Sequence, residues 1–273
     1  MSASGRVLEC RDVTVRFGGV LALAEVDFSV DKGAIAALIG PNGAGKTTLL
    51  NAITGMVPVY GGTIRFSGKD ITHTPAHKRG RAGVVRTFQN LEIFANMTVL
   101  ENVMTGAHRR LRYSLLAAVL KTPSYFREEK LCVEFSLECL DFVGLAHMRD
   151  LPAGELAFGS QRLLELARAI ASEPELLLLD EPAAGLNMKE TRQLGGLISR
   201  IRAERGVTVA LVEHDMDLVM SISDEITVLQ YGQRLAKGAP AEIQRNPEVV
   251  AAYLGVDEEE EAAERAGGRR ADA

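Results

Sequence analysis

The hydrophobic and polar positions of this chain change period several times, and each change predicts an element. Residues 8–30 alternate β-formers with polar residues and break at Gly18-Gly19, which predicts short strands ahead of the core. Residues 34–39 are continuously apolar, the pattern of a parallel strand buried on both faces. A glycine-rich turn comes next, then a helix over residues 46–53. Residues 60–67, punctuated by Gly61-Gly62 and Gly68, read as another strand. From about residue 91 to residue 148 the pattern is helical, with Gly144 as a helix stop. Residues 176–179, 207–212 and 225–230 then read as three more core strands alternating with helices. That alternation predicts an α/β fold with ligand sites at the carboxyl ends of its strands, interrupted by an inserted helical subdomain over about residues 91–160.

Composition narrows the class. The chain has 273 residues, 47% hydrophobic and 25% charged, which is ordinary for a globular protein. Its net charge of −5 argues against nucleic acid as a partner. No run reaches the roughly 18 apolar residues of a membrane span. The best short one, residues 113–120, is bracketed by arginines and a lysine and reads as a helix or interfacial segment. The start, Met1 to Gly5, has no apolar signal core, so secretion is not expected. Cys10, Cys132 and Cys139 form no Cys-x-x-Cys pair; Cys132, Phe135, Cys139 and Phe142 share one helical stripe, which reads as core packing. Residues 256–273 are charged and poor in apolar side chains, the composition of a solvated, disordered tail.

Two segments carry chemistry. Gly40-Pro41-Asn42-Gly43-Ala44-Gly45-Lys46-Thr47 fits the phosphate-binding loop pattern G-x-x-x-x-G-K-[ST] between a strand and a helix. Its backbone N–H groups and the helix dipole suit phosphate oxygens, Lys46 suits the β/γ phosphates, and the Thr47 hydroxyl suits Mg²⁺. Leu176-Leu177-Leu178-Leu179-Asp180-Glu181 ends an apolar strand in two carboxylates. Asp180 fits a place beside the metal, and Glu181 fits the orientation and deprotonation of a hydrolytic water. Gln89 and His214 each come after a strand, where the amide suits Mg²⁺ or the attacking water and the imidazole suits the γ-phosphate. Single residues of these types carry little information alone.

With these motifs in order, the chain resembles the ATPases of ABC transporters. Leu156-Ala157-Phe158-Gly159-Ser160-Gln161 stands where that family has its signature, usually Leu-Ser-Gly-Gly-Gln. The resemblance covers residues 6–255. It implies a P-loop NTPase (RecA-like) core with an N-terminal antiparallel β subdomain, and ATP and Mg²⁺ as cofactors. It makes Gln89 the Q-loop, Ala183-Ala184-Gly185-Leu186-Asn187 the D-loop, His214 the switch histidine and Phe17 the aromatic that stacks on adenine. Gly40 to Thr47, with Thr48, would hold the nucleotide, as would Leu156, Ala157, Phe158, Gly159 and Ser160 across a dimer interface. The signature departs from the family: Ala157 replaces a serine, Phe158 a glycine and Ser160 a glutamine. Ser160 is expected instead to cap the adjoining helix.

A narrower resemblance joins Val85-Arg86-Thr87-Phe88-Gln89, the Leu-Ala-Phe-Gly signature, Pro182 to Asn187, and Asn246 to Gly255 to the branched-chain amino-acid importer ATPases. The stretch over residues 112–129 is similar to that group as well. Urea and amide importers share much of the pattern. The resemblance implies a second ATPase subunit, two membrane permease subunits and an extracytoplasmic substrate-binding protein as partners. It implies a peripheral position at the cytoplasmic face of the inner membrane. Leu91, Ile93, Phe94 and Met97 would line the groove that receives a cytoplasmic helix of the permease. DNA-repair and translation ATPases of this family carry coiled-coil insertions or a second cassette, and this sequence shows neither.

Overall fold

The computed structural model describes residues 5–111 and 114–253, without the side chains of Leu115 and Leu116. The expected tail, the Leu254-Gly255 end of the C-terminal motif and Arg112 lie outside the described residues.

In chain order the first elements are β1 (Arg6–Phe17), β2 (Val20–Asp31), β3 (Ile35–Ile39), α1 (Lys46–Thr54), β4 (Gly61–Phe66) and β5 (Lys69–Asp70). Then come α2 (Ala76–Ala82), β6 (Val84–Arg86), α3 (Val99–Ala107), α4 (Leu115–Val119), α5 (Pro123–Phe142) and α6 (Phe158–Ala171). The chain continues through β7 (Leu176–Asp180), α7 (Met188–Arg205), β8 (Thr208–Val212), α8 (Met216–Ile222), β9 (Glu225–Gln230), β10 (Gln233–Gly238) and α9 (Pro240–Arg245). They form two compact units, one of residues 1–73 and 212–273 and the other of residues 74–211.

In the first unit β1 and β2 make a long antiparallel hairpin, and β1 pairs β4 on its other edge. The sequence suggests short strands here. The structure instead has two strands of 12 residues each, because register shifts absorb the breaks in the alternation without ending the ladder. The Gly18-Gly19 break is the hairpin turn. β3, Ile-Ala-Ala-Leu-Ile, is buried at every position and runs parallel to β9, as its unbroken apolar run requires. Its start is held by the Ile35 N–H, which donates to Asp224 Oδ2 at 2.8 Å.

In the second unit β6 runs parallel to β7, with Val84, Val85 and Arg86 opposite Leu176, Leu177 and Leu178. The helices are set by their caps. Thr98 and Glu101 close a capping box on α3, Thr122 caps α5 ahead of Pro123, and Asn187 with Glu190 caps α7. α3 crosses α6 at Gly106, where an added Cβ would stand 2.1 Å from the Arg168 carbonyl oxygen, so this contact excludes any side chain. Residues 91–97, read as the start of the helical region, form no helix; α3 begins only after the Thr98 cap. Cys132 and Cys139 are buried on α5. Phe135 lies under the Arg110 guanidinium at 4.0 Å and Phe142 under Arg200 at 4.5 Å, so the stripe is packing, as its spacing suggests.

Candidate active site

The phosphate-binding loop lies in the first unit. Chain direction turns at Gly40, whose φ is +147° and whose place would put a Cβ 2.1 Å from the Leu229 carbonyl oxygen. No other residue fits that approach of loop to strand β9. Lys46 opens α1 and is buried, with its ammonium donating to the carbonyls of Gly40 at 2.7 Å and Pro41 at 3.0 Å. These bonds draw the cation back over the loop that leads into the helix. Thr47 is exposed in the first turn, which holds no acidic residue, so nothing there opposes the positive end of the dipole.

Phe17, His214 and Tyr253 lie in the same unit. Phe17 ends β1 beside the hairpin turn with 49% of its surface exposed, so its ring is not part of the core. His214 is exposed just after β8, with its backbone N–H donating to Glu213 Oε2 at 2.9 Å. Burial pushes the Tyr253 phenol up to about 12, against the opposing effect of a backbone hydrogen bond from Gly40. This ties the C-terminal segment to the first glycine of the loop, a contact that sequence reasoning missed.

The carboxylate end of β7 lies in the second unit. Asp180 is buried and ion-paired to Arg86 of β6, Nη2 to Oδ2 at 2.6 Å. The reading of Asp180 as a carboxylate beside the metal did not include this partner. A single arginine in the otherwise apolar run Val84-Val85-Arg86 is the signal that could have revealed it. Glu181 turns into the left-handed region at φ +49°, a strained conformation for a non-glycine residue and one that gathers at functional positions. Its Oε2 accepts from Gln89 Nε2 at 2.8 Å. Gln89 and Glu181, 92 residues apart in sequence, are therefore brought together.

The signature segment differs in detail. α6 starts at Phe158 with Ala157 as its N-cap and no side-chain cap bond. Ser160 lies inside the first turn, so the expected cap at Ser160 is wrong: the helix begins three residues earlier than that reading placed it. The Gln161 amide donates back to the Leu156 carbonyl at 3.0 Å. The Phe158 ring stands against Gly185, where an added Cβ would lie 2.9 Å from it.

A groove of roughly 730 Å³ runs beside Gln89 in the same unit, lined in part by Phe88, Ile93, Phe94, Gly106 and Arg168. Ile93 and Phe94 line it, whereas Leu91 and Met97 do not. Asn102 fixes the Phe94 backbone on both sides, accepting from its N–H at 2.9 Å and donating to its carbonyl at 3.0 Å. The ring itself stays exposed.

A family model described as ABC transporter matches residues 23–184. The chain belongs to the ABC transporter family. A second model, described as branched-chain amino acid ATP-binding cassette transporter, matches residues 233–259. The high-affinity branched-chain amino acid transport ATP-binding protein BraF of Pseudomonas aeruginosa is 49% identical over 249 residues, covering 91% of this chain and 98% of that one. The corresponding LivG protein of Escherichia coli K12 is 44% identical with the same coverage. Among solved structures, the ADP conformation of MJ1267, an ATP-binding cassette of an ABC transporter, superposes with a TM-score of 0.79. It shares 33% identity and covers 92% of this chain and 99% of that one. The fold is that of the ABC cassette, and the chain is a nucleotide-binding ATPase of that family. No helix among the described residues is long and apolar enough to cross a membrane.

Proposed function

We propose that this chain is the ATP-hydrolysing subunit of an importer for leucine, isoleucine and valine, working through separate membrane subunits. The observation that carries this reading is the match along nearly the whole length of two relatives named for branched-chain amino acid transport. The Gln89–Glu181 contact supports the chemistry.

In this reading Lys46 and the N–H groups of residues 42–48 hold the phosphates, and Phe17 stacks on adenine. Residues 156–160 of a second ATPase subunit close over the γ-phosphate, with Ala157 offering no hydroxyl to it. Gln89 orients a water, Glu181 takes its proton as the water attacks the γ-phosphorus in line and the bond to the departing ADP breaks, and His214 steadies the transferred γ-phosphoryl group. Mg²⁺ suits this donor set, because such ions take one or two carboxylates plus hydroxyl, water and phosphate oxygens rather than an all-protein cage. Thr47, Asp180 and Gln89 would hold it, and it would offset charge on the phosphate oxygens. Among the described residues no cluster of three or more His, Cys, Asp or Glu side chains competes as a metal site. The groove at Phe94 receives a cytoplasmic helix of one permease subunit. The complex stands at the inner face of the cytoplasmic membrane and takes its cargo from an extracytoplasmic binding protein.

The test is reconstitution with the two permeases in vesicles. Loading the binding protein with leucine, isoleucine or valine should stimulate both uptake and ATP hydrolysis. Glu181→Gln should keep ATP binding and lose turnover by about a hundredfold or more. Stimulation by urea or an amide, with none by the three amino acids, would overturn the cargo; turnover in Glu181→Gln at the wild-type rate would overturn the role of Glu181.

A further inference from the structure

Two charged residues on the face of α6 are spent where an amphipathic helix would place apolar ones. Arg162 and Glu165, one turn apart, each leave only 5% of the side chain exposed. Their ion pair, Nη1 to Oε2 at 3.3 Å, does not exhaust the guanidinium. Arg162 Nη1 also donates to the Phe88 carbonyl at 3.2 Å, and Nη2 donates to the Gln89 carbonyl at 2.5 Å. Glu165 takes a backbone hydrogen bond from Phe88 in return. The planar fork of an arginine is suited to gripping two consecutive carbonyls, which a lysine ammonium is not.

The gripped segment matters because it carries Gln89 towards the end of β7. Thr87 N–H still bonds the Leu178 carbonyl at 2.9 Å, two residues before Gln89. Beyond it the chain leaves the β6–β7 ladder, and Gln89 is exposed. From that position its side chain must still meet Glu181 at 2.8 Å. Burying two charges costs desolvation free energy that a well-packed apolar pair would avoid, so the pair marks a place where geometry outweighs stability.

We propose that Arg162 is a positioning residue for ATP hydrolysis, holding the Phe88–Gln89 backbone so that the Gln89 amide stays aimed at Glu181. This rests on the reading of the chain as an ATPase. Arg162 acts through the backbone that carries Gln89, whose carbonyl it grips. A backbone shift of about an ångström at such a group is enough to lower a rate by orders of magnitude.

The experiment is a double-mutant cycle on the full chain. Arg162→Gln leaves Glu165 buried without its partner, so Arg162→Gln with Glu165→Gln serves as a second variant that leaves no unpaired charge. Each is made in the wild type and in Gln89→Ala, with kcat, KM for ATP and thermal midpoint measured. The proposal expects kcat to fall about tenfold or more with KM within about twofold. It expects that loss to vanish in the Gln89→Ala background, since residues acting through one another are not additive. An unchanged kcat, an equal loss in both backgrounds, or unfolding of both variants would overturn it. A wild-type chain that binds ATP without hydrolysing it would overturn the ATPase reading and this inference together; the other three outcomes, in a hydrolysing wild type, overturn this inference alone.

Discussion

Arg86 and Asp180, on neighbouring parallel strands, form an ion pair of 2.6 Å in which each side chain is only 4% exposed. The arginine also lies 5.0 Å from the Phe88 ring centre. Removing one member of such a pair strands the other charge in the core. Arg86→Met should therefore cost about 3–5 kcal/mol and lower the thermal midpoint by roughly 10 °C. Calorimetry showing a change under about 2 °C would mean that the pair contributes little.

Phe17 is exposed at the end of its strand rather than packed inward. If its ring is the adenine platform, Phe17→Ala loses a stacking contact of about 1–3 kcal/mol, or roughly 5- to 150-fold in Kd for ATP. Titration with a fluorescent ATP analogue reads this directly. GTP and ATP should be weakened alike, because stacking is tolerant of the base. An unchanged affinity would place the base elsewhere.

Phe94 offers an exposed ring at a groove whose backbone is already fixed by Asn102. Phe94→Asp should leave the fold within about 0.5 kcal/mol of wild type, as surface substitutions do. Basal ATPase activity should stay near normal, while co-purification with the permeases and transport are lost. A variant that unfolds, or one that still transports, would show that the ring packs the unit rather than receiving a partner.

The Cys139 thiol is raised by burial from its ordinary 9.0 to about 11. The folded state thus holds this proton more tightly than the unfolded chain does. The associated stability is full below about pH 9 and is lost as pH rises through about 11. At pH 8 an alkylating reagent should label Cys139 slowly in the native protein and fast in denaturant, as read by peptide mass mapping. Rapid native labelling would mean that α5 opens easily.

The sequence by itself determined the phosphate loop, the carboxylate strand end and the α/β alternation. Gly40 to Thr47 and Leu176 to Glu181 are contiguous, and their chemistry depends on neighbours along the chain. Buried parallel strands are likewise legible from local apolar runs, because both faces must be covered. What only the tertiary structure decided are contacts between segments distant in sequence. Among these are Arg86 on Asp180, Gln89 on Glu181 and Phe158 over Gly185. The Arg162 fork on two carbonyls and the backbone contact of Tyr253 with Gly40 belong with them. Even the start of α6, at Phe158 without a capping side chain, departs from the expected cap at Ser160. No local pattern encodes such pairs, since a charged or polar side chain reads the same in sequence whether it meets water or a partner across the fold.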